Sequence, residues 1–465
     1  FVWHAFTQMA EYEPLLIERG EGVYLFDTDG NRYIDGSASM WCNVHGHRHP
    51  RLDGAITNQL AKVAHTTNLG LSNPTTVLLA QRLAEITPTG LEKVFFSSDG
   101  SSATEAALKL AFQYWHQSEV EGDTHPPQST SHRTKFVSLG EAYHGDTLGA
   151  IGVGGVDRFT SIFSPLTFES IRVPGPGMTA SMSSTGDGGP RTDDSSRRTT
   201  AAATLHELEN LFKNQGNEIA ALIMEPLVQA AGGILVHPPG FLRAVRELTQ
   251  QFNILLILDE IAVGFGRTGT MFACEQEDVS PDILCLGKGL TAGYLPMAAT
   301  VTTAAIWKQF LGSHKDGRAF YHGHTFGGNP LAAAVALESL ALFQEEHILE
   351  QLPERIQQLQ GHVARISKLP HVGDTRQCGL VAGIDLVADK DSRHPYPWED
   401  KMGTVACTAA RQHGALLRQL GDTVVIMPPL SINSSELADL LHAAESAIRE
   451  TTQAPAGLPS GSVLS

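Results

Sequence analysis

Uninterrupted apolar runs recur along this chain, and polar or helical stretches separate them. Residues 220–224 and 254–258 are two such runs, and neither alternates apolar with polar positions. Such runs predict strands that are buried on both faces, as the strands of parallel sheets are. A helical pattern lies between them at residues 241–252. Because strand and helix patterns alternate from residue 51 onwards, the sequence predicts an α/β fold with a mainly parallel sheet.

The pattern differs at the two ends of the chain. Residues 23–35 are predicted to form two short strands around an Asp-Gly-Asn turn. Beyond about residue 345, helical segments flank isolated strands, which is typical of a smaller α+β domain. We predict an N-terminal segment of the small domain, a large ligand-binding domain, a C-terminal small domain and a tail, at residues 1–50, 51–330, 331–453 and 454–465. Polar stretches of the large domain are predicted to be surface inserts, near 119–135 and 174–204.

Composition narrows the classes of partner. The chain has 465 residues, of which 42% are hydrophobic, so it can bury a sizeable core. Its net charge of −17 disfavours nucleic acid and anionic membranes, and no apolar run is long enough to span a bilayer. An anionic ligand must be held locally, by backbone amides, a helix N-terminus or an arginine. Five scattered cysteines without a Cys-x-x-Cys pair are typical of a reduced, cytoplasmic protein.

The strongest chemical signal is an acid and a lysine that follow two apolar runs. Asp259 ends the run at 254–258, at the position where ligands bind in open α/β sheets. Lys288 follows the run at 282–286 and is flanked by two glycines, which leave its amine accessible. Pyridoxal phosphate needs such a pair, because a lysine binds it covalently and later acts as a base, while an acid keeps its ring nitrogen protonated. The pattern therefore predicts a pyridoxal-phosphate enzyme.

Three other interpretations fit parts of the same segment. An acidic strand end also occurs in ATPases, but their phosphate loop ends in Lys-Ser or Lys-Thr, and none of the eleven lysines here precedes either residue. Gly264, Gly266 and Gly269 have the spacing of a dinucleotide-binding turn, which would indicate a nicotinamide oxidoreductase. Five residues intervene after the strand, however, and no obvious amphipathic helix follows. Lys288 could also be an ordinary surface lysine, which spacing alone leaves open.

Two further turns contain candidates for cofactor binding. A turn of small residues leads into a predicted helix at Gly100 and Ser101, where free amides and the helix dipole would bind phosphate. A plain serine cap fits that turn equally well. Thr325, in a Gly-rich turn, is a second candidate phosphate ligand or only a turn residue. Tyr143, in a Tyr-His-Gly turn, offers an aromatic face to a cofactor ring, or is a half-buried turn residue.

Other residues give weaker indications. His45, His47 and His49 alternate, but no carboxylate or cysteine lies beside them, so no metal is predicted. Arg418 lies between two apolar stretches, where it could bind a substrate carboxylate, although such arginines are more often surface charges. Trp41 is either a core residue or part of the apolar wall of a substrate site.

Together these motifs resemble the class III, or ω-type, pyridoxal-phosphate aminotransferases of fold type I. The resemblance covers nearly the whole chain apart from the inserts, and its motifs are Gly100-Ser101, Tyr143-His144-Gly145, Asp259-Glu260 with Gly264–Gly269, and Gly287-Lys288. It implies that Lys288 binds pyridoxal 5'-phosphate, that Asp259 pairs with the ring nitrogen and that Tyr143 stacks on the ring. It also implies a homodimer with shared active sites. The other cofactor-binding residues that it implies are Gly100, Ser101, His144, Glu225 and, from the neighbouring subunit, Thr325.

Further stretches resemble family members that convert 7-keto-8-aminopelargonate to 7,8-diaminopelargonate in biotin synthesis. They are residues 3–9, Trp41 before His45-Gly46, residues 293–296, and Arg418 before residues 427–429. The resemblance implies small-molecule substrates, with Arg418 binding a carboxylate, and a substrate site of Phe6, Trp41, Tyr143, Asp146, Arg267, Gly323 and Arg418. Departures from the usual residues at Met40, Phe6, Val263 and Val425 leave the amino donor open between S-adenosylmethionine and lysine. Another ω-aminotransferase activity is the alternative.

Overall fold

The computed structural model describes residues 1–118, 131–177 and 199–453, and most of the two predicted inserts and the tail lie outside these ranges. In chain order the strands are β1 (Ile17–Glu21), β2 (Tyr24–Asp27), β3 (Arg32–Asp35), β4 (Leu91–Ser97), β5 (Lys135–Leu139), β6 (Ile171–Val173), β7 (Ile219–Met224), β8 (Val228–Gln229), β9 (Leu235–Val236), β10 (Leu255–Asp259), β11 (Ile283–Leu286), β12 (Ala298–Thr303), β13 (Val372–Gln377), β14 (Ala382–Leu386), β15 (Ala415–Leu416), β16 (Arg418–Leu420) and β17 (Thr423–Ile426). The helical segments are α1 (Ala38–Trp41), α2 (Pro50–Leu60), α3 (Pro74–Ile86), α4 (Gly100–Ser118), α5 (Leu148–Val153), α6 (Asp157–Thr160), α7 (Ala201–Gln215), α8 (Phe241–Gln251), α9 (Ala304–Lys308), α10 (Pro330–Glu345), α11 (Ile348–Ile366), α12 (Met402–Gln412) and α13 (Ser434–Gln453).

A seven-stranded sheet in the order β4-β12-β11-β10-β7-β5-β6 lies at the centre of the described chain. Strands β6, β5, β7, β10 and β11 are mutually parallel, whereas β12 is antiparallel to both of its neighbours, β11 and β4. The predicted α/β fold with a mainly parallel sheet is thus confirmed. Because only β12 is reversed, the other six strands end at the same edge of the sheet, and the residues that follow them meet there.

The apolar runs form the buried strands that their pattern predicts, with ends shifted by one residue. Every residue of β7 and of β10 is buried. Burying one Leu, Ile or Val side chain contributes about 1.5–3 kcal/mol, so these strands form a rigid support. Asp259 is the last residue of β10 and Glu225 follows β7 directly. The apolar side chains of β7 and β10 therefore hold two carboxylates, Glu225 and Asp259, at the edge of the sheet.

Both ends of the chain contribute to the smaller sheets. Strand β15 pairs in parallel with β3 in the sheet β1-β2-β3-β15, and a second sheet has the order β13-β14-β17-β16. The sequence pattern indicates β2, β3, β14 and β17 but not β1 or β13, because the latter two consist mainly of polar residues. Residues from the two termini thus meet beside the central sheet, and the exact domain boundaries stay a prediction.

The Gly-rich segment after β10 does not have the form of a dinucleotide-binding turn. Residues Ala273–Glu277, which follow it, form a short 3-10 helix and not the long α-helix that such a turn precedes. The nicotinamide interpretation therefore has no support in the fold. Within the described ranges, no helix combines the length and the apolar character needed to cross a membrane.

Candidate active site

The carboxyl edge of the central sheet brings most of the predicted site residues to one cavity of about 360 Å³. Asp259 ends β10, Lys288 follows β11, and Glu225 follows β7. All three residues line the cavity. The other predicted site residues that line it are Phe6, Trp41, Gly100, Ser101, Tyr143, His144 and Arg418. A larger cavity of about 540 Å³ contains none of them.

Lys288 presents its amine to this cavity from a strained turn. Its φ of 43° is in the left-handed region, which non-glycine residues rarely adopt. Its Nζ atom lies 4.8 Å from the centre of the Trp41 ring. Loss of water lowers the pKa of Lys288, although the nearby Asp259 and Glu225 act in the opposite direction. A lowered pKa favours the neutral amine, which is the form that acts as a nucleophile and a base.

Asp259 is held in position by a buried histidine. His144 Nδ1 lies 2.7 Å from Asp259 Oδ2, and the backbone amide of Ile261 donates to Oδ1 at 3.0 Å. Asp259 and His144 are 3% and 2% exposed, respectively. The two hydrogen bonds fix the orientation of the carboxylate at the edge of the cavity. Asp259 is therefore suited to balance a positive charge on a ligand in the cavity.

Glu225 is the second acid of the site, and it differs from Asp259. Its two oxygens accept hydrogen bonds from the amides of Tyr143 at 3.3 Å and Ala230 at 2.9 Å. Burial raises the pKa of Glu225 to about 7, and the Asp259 charge acts in the same direction. Glu225 can therefore be protonated near neutral pH.

The Tyr-His-Gly turn packs against the start of α4. The hydroxyl of Tyr143 donates to Asp146 Oδ2 at 2.8 Å, and the amide of Asp146 donates to Ser101 Oγ at 3.3 Å. Gly145 has a φ of 121°, and a Cβ atom there would lie 2.1 Å from Ser101 Oγ. Only glycine fits this close approach. Burial, and then the contact with Asp146, raises the pKa of Tyr143, so the phenol stays neutral.

The start of α4 has the features of an anion cradle. Asp99 Oδ1 accepts from the amide of Ser102 at 2.9 Å, which caps the helix and fixes its first turn. The amides of Gly100 and Ser101 have no hydrogen-bond acceptor among the described residues. Free amides at the positive end of a 19-residue helix suit a phosphate group.

The outer part of the cavity is apolar and aromatic. Phe159, which the sequence analysis did not select, lies edge-to-face with Phe6 at 5.2 Å and with Tyr143 at 6.4 Å between ring centroids. Trp41 is 5% exposed. Arg418, the first residue of β16, also lines the cavity, and its buried Nε atom has no partner within the described residues. An apolar slot with one unpaired guanidinium suits a flexible chain that ends in a carboxylate.

Four of the predicted substrate or cofactor residues do not line this cavity. Arg267 is buried and donates to the carbonyls of Pro428 at 2.6 Å and Asn43 at 3.4 Å, so it joins two segments beneath the site. Asp146 accepts a hydrogen bond from the hydroxyl of Tyr143, which does line the cavity. Gly323 and Thr325 are exposed on another part of the surface, and Gly323 lines a different cavity.

The alternating histidines have separate partners. His45 Nε2 lies 3.1 Å from Ser339 Oγ, whereas His47 Nε2 lies 3.1 Å from Asp35 Oδ2. His49 is 3.5 Å from Glu346. Within the described ranges, no group of three or more His, Cys, Asp or Glu residues is arranged to hold a metal ion.

The site as a whole fits pyridoxal phosphate. It combines a lysine with a lowered pKa, a buried carboxylate, an aromatic face and a phosphate cradle at the edge of one sheet. His144 Nε2 and Arg418 Nε are buried polar atoms without a protein partner in the described chain, and both are available to bound molecules. The fold and site define a pyridoxal-phosphate enzyme of fold type I.

Comparison with known proteins narrows this class. The family model described as Aminotransferase class-III matches residues 7–448, and the chain belongs to that family of pyridoxal-phosphate-dependent aminotransferases. Curated relatives named adenosylmethionine-8-amino-7-oxononanoate aminotransferase include one from Nitratidesulfovibrio vulgaris, 48% identical over 97% of this chain and 81% of its own length. Another, from Aquifex aeolicus, is 47% identical over 97% of this chain and 96% of its own length.

Solved structures agree with this assignment. The crystal structure of the enzyme of the same name from Methanocaldococcus jannaschii is 39% identical, covers 97% of both chains and gives a TM-score of 0.87. An ω-transaminase from Pseudomonas jessenii, solved in complex with PMP, is 30% identical, covers 98% of both chains and also gives a TM-score of 0.87.

Proposed function

We propose that this protein transfers an amino group to 7-keto-8-aminopelargonate, giving 7,8-diaminopelargonate in biotin biosynthesis. The supporting observation is that relatives named for this reaction match it over 97% of its length at up to 48% identity. The cavity agrees, because it places Lys288 and Arg418 on an apolar slot. A long keto acid would present its ketone to Lys288 and its carboxylate to Arg418.

The residues of the chain then have separate tasks. Bound pyridoxal phosphate supplies an electron sink that stabilises a carbanion at the carbon bearing the amine. Lys288 would hold the cofactor and would move the proton of that carbon through Nζ. Asp259, whose carboxylate is fixed by His144, would pair with the ring nitrogen, and the aromatic residues Tyr143 and Trp41 would exclude water from the reacting centre.

The amino donor is proposed to be S-adenosylmethionine, and lysine is the alternative. Support for the first comes from the name shared by the relatives, which begins with adenosylmethionine. We also propose a cytoplasmic location, because all five cysteines are free, as is usual in a reducing compartment.

A single-turnover reaction tests the proposed activity in the direction of the keto acid. The purified holoenzyme is mixed with 7,8-diaminopelargonate, and the absorbance of the bound cofactor is followed. Conversion of the pyridoxal form to the pyridoxamine form supports the proposal. Separate samples of the pyridoxal form are then mixed with each candidate donor, and the donor is the one that makes the same conversion. A holoenzyme that ignores this diamine but reacts with other ω-amines would instead have the broader activity of the ω-transaminases that it resembles at 30% identity.

Replacing Arg418 by alanine is expected to raise the KM for the keto acid about 10- to 100-fold with a smaller change in kcat. The Arg418 guanidinium lines the cavity, and its buried Nε has no partner within the described residues. We therefore expect it to contribute to binding of the keto acid more than to the chemical step. Steady-state kinetics against keto-acid concentration measure the effect. Arg449→Ala, which removes a surface arginine paired with Glu445, is the control. An unchanged KM in the Arg418 variant would show that the carboxylate binds elsewhere.

We further propose a homodimer in which each subunit completes the site of the other. Near Thr325, large apolar side chains are exposed, including Leu69 at 65%, Leu71 at 60% and Phe326 at 60%. Leu69 and Leu71 line the same surface cavity as Gly323. An apolar patch of this kind is typical of an interface. Burial of this patch by a second copy would bring the partner's Thr325 towards the phosphate cradle.

Mixed dimers test the sharing of sites. Lys288→Ala and Thr325→Asp are each expected to be inactive or nearly so, because the first removes the reactive amine and the second repels the phosphate. After subunit exchange, one site of each hybrid combines the intact Lys288 with the intact Thr325, so about a quarter of wild-type activity should return. If Thr325 served its own subunit, every hybrid site would be defective and no activity would return.

A further inference from the structure

The segment that carries Trp41 has an unusual backbone. Ala38, Ser39, Met40 and Trp41 have φ angles of 47°, 46°, 71° and 70°, so four consecutive residues other than glycine are left-handed. Left-handed conformations usually occur at single residues, most often glycine, because a Cβ atom clashes with the backbone there. A continuous run of four persists only where the surrounding structure imposes it.

A buried carboxylate at the end of β3 imposes this conformation. Asp35 is 1% exposed. Its Oδ2 atom accepts from Ser39 Oγ at 2.8 Å and from His47 Nε2 at 3.1 Å, and its Oδ1 atom accepts from Ser37 Oγ at 3.2 Å. Burial alone would raise the pKa of Asp35, but the bonds from His47 and Ser39 outweigh it and the pKa is lowered. The carboxylate is therefore charged while it holds the turn.

His47 is itself held in a matching orientation. Asn43 Nδ2 lies 3.2 Å from His47 Nδ1, and Asn43 Oδ1 accepts from the amide of Gly46 at 2.8 Å. If Asn43 donates to Nδ1, then Nε2 carries the proton that is donated to Asp35. The hydrogen bonds of Asn43, His47 and Asp35 are therefore consistent with one another in the direction of donor and acceptor.

The turn leads directly into the wall of the active site. Met40 and Trp41 line the cavity with Lys288, whereas Asp35 and His47 do not. The Trp41 ring lies over the Lys288 amine at 4.8 Å. A right-handed or extended backbone at residues 38–41 would point these two side chains in other directions.

We propose that Asp35 and His47 are positioning residues, which hold residues 38–41 in the left-handed turn that places Met40 and Trp41 against the substrate. Without the hydrogen bonds of Asp35 and His47, the turn adopts the conformation that binds substrate only part of the time. Apparent affinity falls in proportion to the competent fraction, so substrate binding weakens while the chemical step in the bound complex changes less.

A pair of substitutions at one residue isolates the backbone effect. Ser39→Ala and Ser39→Gly both remove the hydroxyl that Asp35 holds, but only glycine adopts the left-handed conformation without steric cost. The KM for the keto acid is expected to rise about threefold in Ser39→Ala and to stay near the wild-type value in Ser39→Gly. Asp35→Ala is expected to raise KM about tenfold, and Ser39→Gly in that background should restore most of the loss. Equal KM values in the two Ser39 variants would overturn the proposal.

Asp27 provides a matched control for general destabilisation. It is also a buried carboxylate of the same sheet and accepts hydrogen bonds from Asn31 and Tyr33, but it does not contact the turn. Asp27→Asn and Asp35→Asn are both expected to lower Tm. The KM for the keto acid should increase only in Asp35→Asn, although Tm falls in both variants. If the two variants lose Tm and both keep the wild-type KM, Asp35 is merely structural and the proposal fails.

A spectroscopic measurement tests the conformation of residues 38–41 without an enzyme assay. It is therefore independent of the proposed function, on which the kinetic tests rest. The holoenzyme is labelled with fluorotryptophan, and the Trp41 resonance is assigned by its disappearance in Trp41→Phe. Asp35→Ala should shift or broaden that resonance, and Ser39→Gly in the same background should restore it. An unchanged Trp41 resonance in Asp35→Ala overturns the proposal. If Asp35→Ala changes the Trp41 resonance but the wild-type enzyme does not react with the keto acid, only the proposed function is contradicted.

Discussion

Replacing Lys288 by alanine is expected to lower the rate of transamination by about 10,000-fold or more while the protein still folds. In the proposed mechanism, the substitution would remove both the covalent link to the cofactor and the base that moves the substrate proton. The Lys288 amine makes no hydrogen bond to any described residue, so the fold does not depend on it. Its loss also removes an amine whose burial is costly, as its lowered pKa shows.

Steady-state turnover and thermal unfolding of the same preparation measure these two effects. Lys308→Ala, at the end of α9 and remote from the cavity, is the control and should keep full activity. Borohydride reduction followed by peptide mass spectrometry should place the trapped cofactor on Lys288 in the wild-type enzyme. Turnover in Lys288→Ala, or a cofactor trapped on another lysine, would contradict the assignment.

The second large effect is expected at Asp259. Asp259→Asn keeps the size of the side chain but removes its charge, and kcat should fall by about 1,000-fold because the ring nitrogen loses its anionic partner. The carboxylate is 2.7 Å from His144 Nδ1 and is 3% exposed, so solvent screens its charge only weakly. Binding of the keto acid, for which we propose Arg418, should change much less than kcat.

The measurement is the split between kcat and KM in the holoenzyme, together with Tm and the absorbance of the bound cofactor. Asp29→Asn, in the exposed turn between β2 and β3, is the control. A fall of less than about tenfold in kcat, with the cofactor still bound, would exclude a major electrostatic role for Asp259.

The sequence pattern predicts the site best where an apolar strand leads into a chemical residue. The run that forms β10 is uniformly apolar, and this pattern predicts that Asp259 lies at a sheet edge. The Gly-flanked Lys288 could be located for the same reason. The pairing of His144 with Asp259 spans 115 positions of the chain, and no local pattern reports such a contact.

Two other features are invisible to local patterns for physical reasons. Residues Ala38–Trp41 contain no glycine or asparagine, so their propensities give no sign of a left-handed turn, which Asp35 and His47 hold through side-chain hydrogen bonds. Arg267 is buried and donates to two carbonyls, contacts that no local pattern reports, and burial lowers its pKa to about 10. The assignments of Arg267, Thr325 and Gly323 to the site remain predictions.

The reversed strand β12 separates two parts of the site. It lies between β4, which leads to Gly100, and β11, which leads to Lys288. The free amides of Gly100 and Ser101 can donate to an anion, whereas Lys288 offers an amine. We therefore expect pyridoxal without its phosphate to bind more weakly than pyridoxal phosphate, because it would leave these two amides without an anion.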